Sequence, residues 1–158
     1  MIACHRVCLL LGSNIKPEAN IPAAVALLRQ ELRVIKVSSL WETEAVGSDG
    51  PNFLNLALLA ETPLDAASIK QRIINQVETR LGRQRTADKN APRTIDLDII
   101  LFDDQLFEPQ LWQFAHVAVP VAELLPDYPE PASGERLVQT ATRLAGSTSI
   151  RRRQGVLD

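Results

Sequence analysis

The segment KNAPRTIDLDII, residues 89–100, places two aspartates two positions apart in a run that otherwise has the composition of a buried β-strand. Successive strand side chains point to opposite faces, so Asp96 and Asp98 share one face while Ile95, Leu97 and Ile99 take the other. At about 3.3 Å of rise per residue the two carboxylates sit roughly 6–7 Å apart, and they repel unless something positive lies between them. A hard divalent cation suits that place. Magnesium held by one or two carboxylates keeps positions open for phosphate oxygens, so the pair needs no further protein ligand. Just upstream, Arg80, Arg83, Arg85, Lys89 and Arg93 are set against one acid, Asp88. Arginine grips phosphate oxygens with a planar fork and keeps its charge at any relevant pH. Alone, the basic run reads as a solvated helix end and the aspartates as a polar strand face. Together they specify metal-holding carboxylates beside an arginine-rich loop, which is the equipment for transfer from a magnesium-bound polyphosphate.

The elements that must position these groups follow from the apolar pattern. RVCLLLGSN, residues 6–14, reads as a buried first strand stopped by Gly12, and the absence of a following Gly-Lys-Ser/Thr excludes a phosphate loop. Ile21, Val25, Leu28 and Leu32 recur at helical spacing, with Asn20 as the expected cap and Pro22 in the first turn. VIKVSSLWETEAV (34–46) and FLNLALLAE (53–61) read as strands paired around a turn rich in Gly, Ser, Asp and Pro. Thr62 and Pro63 open a second helix in which Ile69, Ile73, Val77 and Leu81 recur every four residues, and Gly82 closes it. After the nearly apolar-free residues 83–93 comes the strand TIDLDIILF (94–102). VPVAELLP (119–126) and ERLVQTATRLAG (135–146) read as helices. Residues 147–158, including Arg151, Arg152 and Arg153, read as a loose, solvated tail. The order β-α-β-β-α-β specifies an α+β, ferredoxin-like core, with helices on a mostly antiparallel sheet.

The bulk numbers narrow the function classes. A chain of 158 residues has room for one domain, 1–158, with a sizeable core. A net charge of −2 and an aromatic share of 4% weigh against a nucleic-acid binder or a membrane-surface protein. Cys4 and Cys8 have neither disulfide nor zinc spacing and are expected as reduced, half-buried strand residues. The first apolar run is too short for a signal peptide or a membrane span, so the expected compartment is the cytoplasm.

Four stretches carry a family resemblance: LLLGSNI at 9–15, WETEAVG with PNFLN across 41–55, ETRLGRQR at 78–85 and APRTIDLDIILF at 91–102. They resemble the 6-hydroxymethyl-7,8-dihydropterin pyrophosphokinases of folate synthesis, and the likeness resumes at VPVAELLPD. The resemblance implies transfer of pyrophosphate from ATP to the pterin hydroxymethyl group, with release of AMP, by an enzyme expected to be monomeric. Asp96 and Asp98 would hold two magnesium ions, and Arg83 and Arg93 would be loop arginines that settle on the triphosphate. Glu78, Arg85 and Ile99 would lie on the nucleotide side. The pterin would rest on Phe53 and on His116, which stands where the family has Phe. Asn55 and the chain at Thr43, Ala45 and Val46 would read its edge.

The departures are specific. Glu44 and Ala45 replace a Pro-Pro, Asn90 and Ala91 replace a Trp-Gly, and EPQLWQFAHVAVP is too short to carry the family's Pro-His and later Arg that face ATP. That shortening keeps a second reading open, a pterin- or nucleotide-binding relative without turnover. An RNA-binding module built on the arginines is a third, and it lacks a wide basic face.

Overall fold

The computed structural model describes residues 4–45, 50–83 and 94–154; Val46, Arg85, Lys89 and Arg93 fall outside them. At the centre lies β1 (His5–Ser13), paired antiparallel with β4 (Phe53–Thr62) on one side and β5 (Asp96–Phe102) on the other. Along the far side of β4 run β2 (Arg33–Val37) and β3 (Leu40–Thr43), both antiparallel to it. A short β6 (Gln105–Leu106) extends the sheet beyond β5, and β7 (Ile150–Arg153) extends it beyond β3. The order β5-β1-β4 followed by β2 and β3 is the ferredoxin-like arrangement, with β6 and β7 as additions.

Burial explains why β1 lacks polar alternation. Val7, Leu9 and Leu11 enter a core with Leu54, Leu56 and Leu58 under helix α1 (Pro17–Glu31) and helix α2 (residues 66–80). Cys8 and Leu10 enter a second core with Ala57 and Leu59 under α3 (Ala115–Leu124) and α4 (Leu137–Ala145). A strand covered by helices on both faces reads as a continuous apolar run. Burial also pushes the Cys8 thiol up to about 12, so it acts as a small hydrophobe. Cys4, expected to be half-buried, is instead exposed ahead of β1.

Helix α2 covers residues 66–80 in three joined parts, Ala66–Ser68, a π-helical Ile69–Ile74, and Asn75–Arg80. An exact repeat of four outruns the 3.6 residues of an α-turn. The wider π-turn, seen where the Asn75 N–H donates to Lys70 O, absorbs the difference and keeps Ile69, Ile73 and Val77 on the core.

Several expectations change. Helix α1 starts at Pro17, so its cap position is Lys16, held at φ 44, and Asn20 is not the cap. The Asn20 Nδ2 instead donates back to Ile15 O at 2.6 Å. Helix α3 begins at Ala115, upstream of the expected VPVAELLP, and so carries His116. Part of the expected loose tail is strand β7, and two of its arginines are paired with carboxylates.

Between β2 and β3 the chain breaks at Ser38, whose buried hydroxyl accepts the Ala57 N–H at 2.8 Å and donates to Ser39 O at 2.8 Å. The hydroxyl fills the ladder position that the break leaves open. Replacing Ser38 by Ala strands the Ala57 N–H away from water, and unfolding in denaturant should show a loss of about 1–3 kcal/mol.

Candidate functional site

Gly82 is where the site's geometry begins. Its φ of 79 is a left-handed conformation that glycine adopts without strain, and it ends α2 in a Schellman turn. The Gly82 N–H donates to Thr79 O and the Arg83 N–H to Glu78 O, both at 3.0 Å. That turn folds Arg83 back over the helix end. Its Nη1 donates to Glu78 Oε2 at 2.5 Å and to Asp96 Oδ1 at 2.8 Å, and the side chain is only 10% exposed. Glu78 is itself buried and also accepts the Leu97 N–H at 3.0 Å, so one carboxylate fixes both the arginine and the edge of β5. The expectation of Arg83 as a loop arginine thus meets a different ligand-free arrangement, a buried guanidinium shared between two carboxylates. Its Nε is buried with no hydrogen-bond partner among the described residues, a donor left for an incoming oxygen.

Ile95, just before β5, and Leu97 on it belong to the first core, and Ile99 packs against that core. Asp96 and Asp98 pair with Gly12 and Leu10 and line a cavity of about 1000 Å³. A bulge opposite Cys8 and Leu9 then puts Ile100 and Leu101 together in the second core. Five carboxylates line the cavity, Glu44, Glu78, Asp96, Asp98 and Glu108, against Lys70 and Arg83 among the described residues. Asp98 is open to the cavity, yet protein surrounds it. Desolvation first, then the charges of Asp96, Glu108 and Glu78, raise its pKa to about 7, with Arg83 pulling it down.

That donor set fits a hard cation. Among the described residues no group of three or more His, Cys, Asp or Glu is placed to hold a metal, and a pair of carboxylate oxygens is what magnesium takes when phosphate and water complete its shell.

Sheet pairing separates two groups of lining residues about the aspartates, an inner lobe on β1, β3 and β4 and an outer lobe contributed by segments outside them. Over β1 and β4 lie Gly12, Thr43, Glu44, Phe53 and Asn55, faced by His116 and Phe114. Asn55 is buried; its Nδ2 donates to Thr43 Oγ1 at 2.8 Å and to Trp41 O at 3.2 Å, which aims the amide. A Cβ on Gly12 would touch Asn55 at 3.5 Å and Phe53 at 3.7 Å, so glycine leaves the floor of this lobe open. Burial lowers the His116 pKa, with Asp96 opposing, so the ring is neutral at pH 7. The outer lobe comprises Ala66, Ala67, Lys70 and Asn75 of α2 with Phe107, Glu108 and Gln110.

Of the residues singled out from the sequence, Thr43, Phe53, Asn55, Glu78, Arg83, Asp96, Asp98, Ile99 and His116 meet in this cavity. Ala45 does not line it, and Val46, Arg85 and Arg93 lie outside the described residues. Sequence reasoning missed Phe107, 47% exposed, and Phe114, 37% exposed. The available signal was two phenylalanines in a short polar segment. It also missed Lys70 and Asn75, which the π-turn carries to the cavity.

Comparison with known proteins adds an independent line. The pattern of the family described as 7,8-dihydro-6-hydroxymethylpterin-pyrophosphokinase matches residues 8–126. Over 146 residues the chain is 36% identical to a 2-amino-4-hydroxy-6-hydroxymethyldihydropteridine pyrophosphokinase of Bacillus subtilis, covering 85% of this chain and 86% of the relative. A protein of the same name from Synechocystis sp. is 32% identical over 147 residues, covering 86% and 74%. Among solved structures, a wild-type Plasmodium falciparum HPPK-DHPS with pteroate matches with a TM-score of 0.70 over 91% of this chain, at 12% identity, a likeness of fold. This chain spans 43% of that longer one.

The raised Asp98 pKa sets a sign. Between about pH 4 and 7 the folded protein holds a proton that the unfolded chain releases, so this group makes the metal-free protein less stable as pH rises. Asp98→Asn should therefore melt higher than the native protein in chelator at pH 7.5, and by a smaller margin at pH 5. A variant that melts lower at both pH values would contradict this.

Proposed function

The chain belongs to the 7,8-dihydro-6-hydroxymethylpterin-pyrophosphokinase family, ATP-dependent enzymes of folate biosynthesis, and we propose that its cavity divides their reaction between the two lobes. The pterin occupies the inner lobe, its ring against Phe53 and His116 and its polar edge read by Asn55. A flat heterocycle held by stacking and a few edge bonds matches the ring and amide groups present there. The triphosphate crosses Asp96 and Asp98. The nucleoside extends into the outer lobe, where the exposed Phe107 offers a stacking face and Glu108 and Gln110 offer polar contacts. The observation that carries this reading is that Asp96 and Asp98 line one cavity of about 1000 Å³ together with Phe53, Asn55 and His116 on the one hand and Phe107, Glu108 and Gln110 on the other.

In the reaction the pterin hydroxymethyl oxygen attacks the β-phosphorus, the bond from that phosphorus to the α–β bridging oxygen breaks, and AMP departs. Two magnesium ions on Asp96 and Asp98 would neutralise the phosphate oxygens. Arg83 stands beside the same oxygens with an unused Nε donor, and Arg93 and Arg85 supply further charge in this reading. Glu78 keeps Arg83 within reach and holds the edge of β5 through Leu97. Positioning and charge neutralisation carry the rate.

The reading treats the chain as one pyrophosphokinase domain working as a monomer in the cytoplasm. Two cores sharing one sheet support the single domain; no helix among the described residues is long and apolar enough to cross a membrane. The short segment before α3 favours one rival, a binding relative without turnover.

Purified protein incubated with ATP, magnesium and the reduced pterin should yield AMP and pterin diphosphate in equal amounts; binding without either product would establish the rival. Asp96→Asn and Asp98→Asn should each lower kcat by about a hundredfold or more with the fold intact, as expected for lost stabilisation of developing phosphate charge. His116→Phe should preserve pterin affinity. Below about pH 6.5 the native affinity should change as the imidazole gains its proton, while the Phe variant stays flat. Pterin titrations from pH 5 to 7.5 check both points.

A further inference from the structure

The three arginines after Ile150 have no part in the chemistry above, yet two of them are tightly engaged. Arg151 Nη2 donates to Glu42 Oε2 at 2.8 Å and Arg153 Nη1 to Glu42 Oε1 at 2.5 Å, with the Glu42 side chain 15% exposed. Asn52 Nδ2 donates to the same carboxylate at 3.2 Å, and Arg153 reaches Glu18 of α1 at 3.4 Å. A surface ion pair alone contributes little. Here one half-enclosed carboxylate takes two guanidinium donors and an amide while the backbones pair, with Glu42 opposite Arg151 and Thr43 opposite Ile150.

What the clamp holds is the strand that aims Asn55. Trp41 and Thr43 flank Glu42 and point to the opposite face, and they are the residues whose carbonyl and hydroxyl accept from the Asn55 amide. On β4, Trp41 lies opposite Asn55 and Thr43 opposite Phe53. Without β7, this four-residue β3 would be a frayed edge. We propose that β7, through the Arg151–Glu42–Arg153 clamp, is a positioning element for pterin recognition, setting the orientation of Asn55 and Phe53 without touching the ligand. The inference rests on the reading of the inner lobe as the pterin site.

Calorimetric titration with 6-hydroxymethyl-7,8-dihydropterin, in the presence of magnesium and α,β-methylene ATP, tests it. Arg151→Gln/Arg153→Gln and, separately, Glu42→Gln should weaken pterin binding about fivefold to tenfold while analogue affinity stays within about twofold, the scale of one poorly aimed hydrogen bond. The doubly conservative Arg151→Lys/Arg153→Lys should recover most of the loss. Thermal melting confirms that each variant is folded, and the Glu42→Gln form, which keeps the backbone pairing, serves if the double variant is not. Unchanged pterin affinity, or equal weakening toward pterin and nucleotide, overturns the proposal. Asn55→Ala separates the two layers of argument. If it weakens pterin binding and the clamp variants do not, only the positioning role fails; if it has no effect, the reading of the inner lobe fails.

Discussion

Asp96 and Asp98 repel each other on one strand face, and the rest of the site is arranged around that repulsion. Glu78 and Glu108 add to it, while Arg83 offsets it from a position fixed by a helix-ending glycine. Placing a guanidinium between Glu78 and Asp96 makes the buried acid tolerable, since an unpaired buried charge costs several kcal/mol, roughly 3–5 when one partner of such a pair is removed. Among the described residues it leaves Asp98 without a comparable partner. The metal-free cavity is therefore in electrostatic tension that a divalent cation, arriving with an anionic triphosphate, would relieve.

In the proposed reading, geometry separates the two substrates as well. The sheet supplies a floor for the inner lobe because Gly12 has no side chain, and the open edge of β5 supplies access to the outer lobe. The aspartates line the cavity that both groups of residues share, so in this reading an attacking hydroxyl from one side and a phosphate chain from the other would converge at one place. In the family to which the chain belongs, that convergence is the reaction.

The fold was legible where patterning is strong: the apolar run of β1, the alternation around Asp96 and Asp98, and the helix closed by Gly82 all follow from local rules. Less legible were features set by tertiary contact. Lys16 takes the cap position because Pro17 begins the helix, so Asn20 is left to bond backward. The IRRR segment has no apolar signature of a strand and becomes one because Glu42 meets two of its arginines. For the site, residue types and spacing pointed to the aspartates, and the family resemblance pointed to Phe53, Asn55 and His116. Phe107, Phe114 and Lys70 reach the cavity through chain direction and a π-turn, which neither spacing nor composition reveals.

The central claim is that Asp96 and Asp98 bind the cations that carry the triphosphate between the two lobes. Anomalous diffraction from crystals grown with manganese, α,β-methylene ATP and the pterin tests it most directly. The account predicts two manganese peaks bridging the phosphates to Asp96 and Asp98, with the pterin over Gly12. Manganese bound to the nucleotide but away from both aspartates would contradict it.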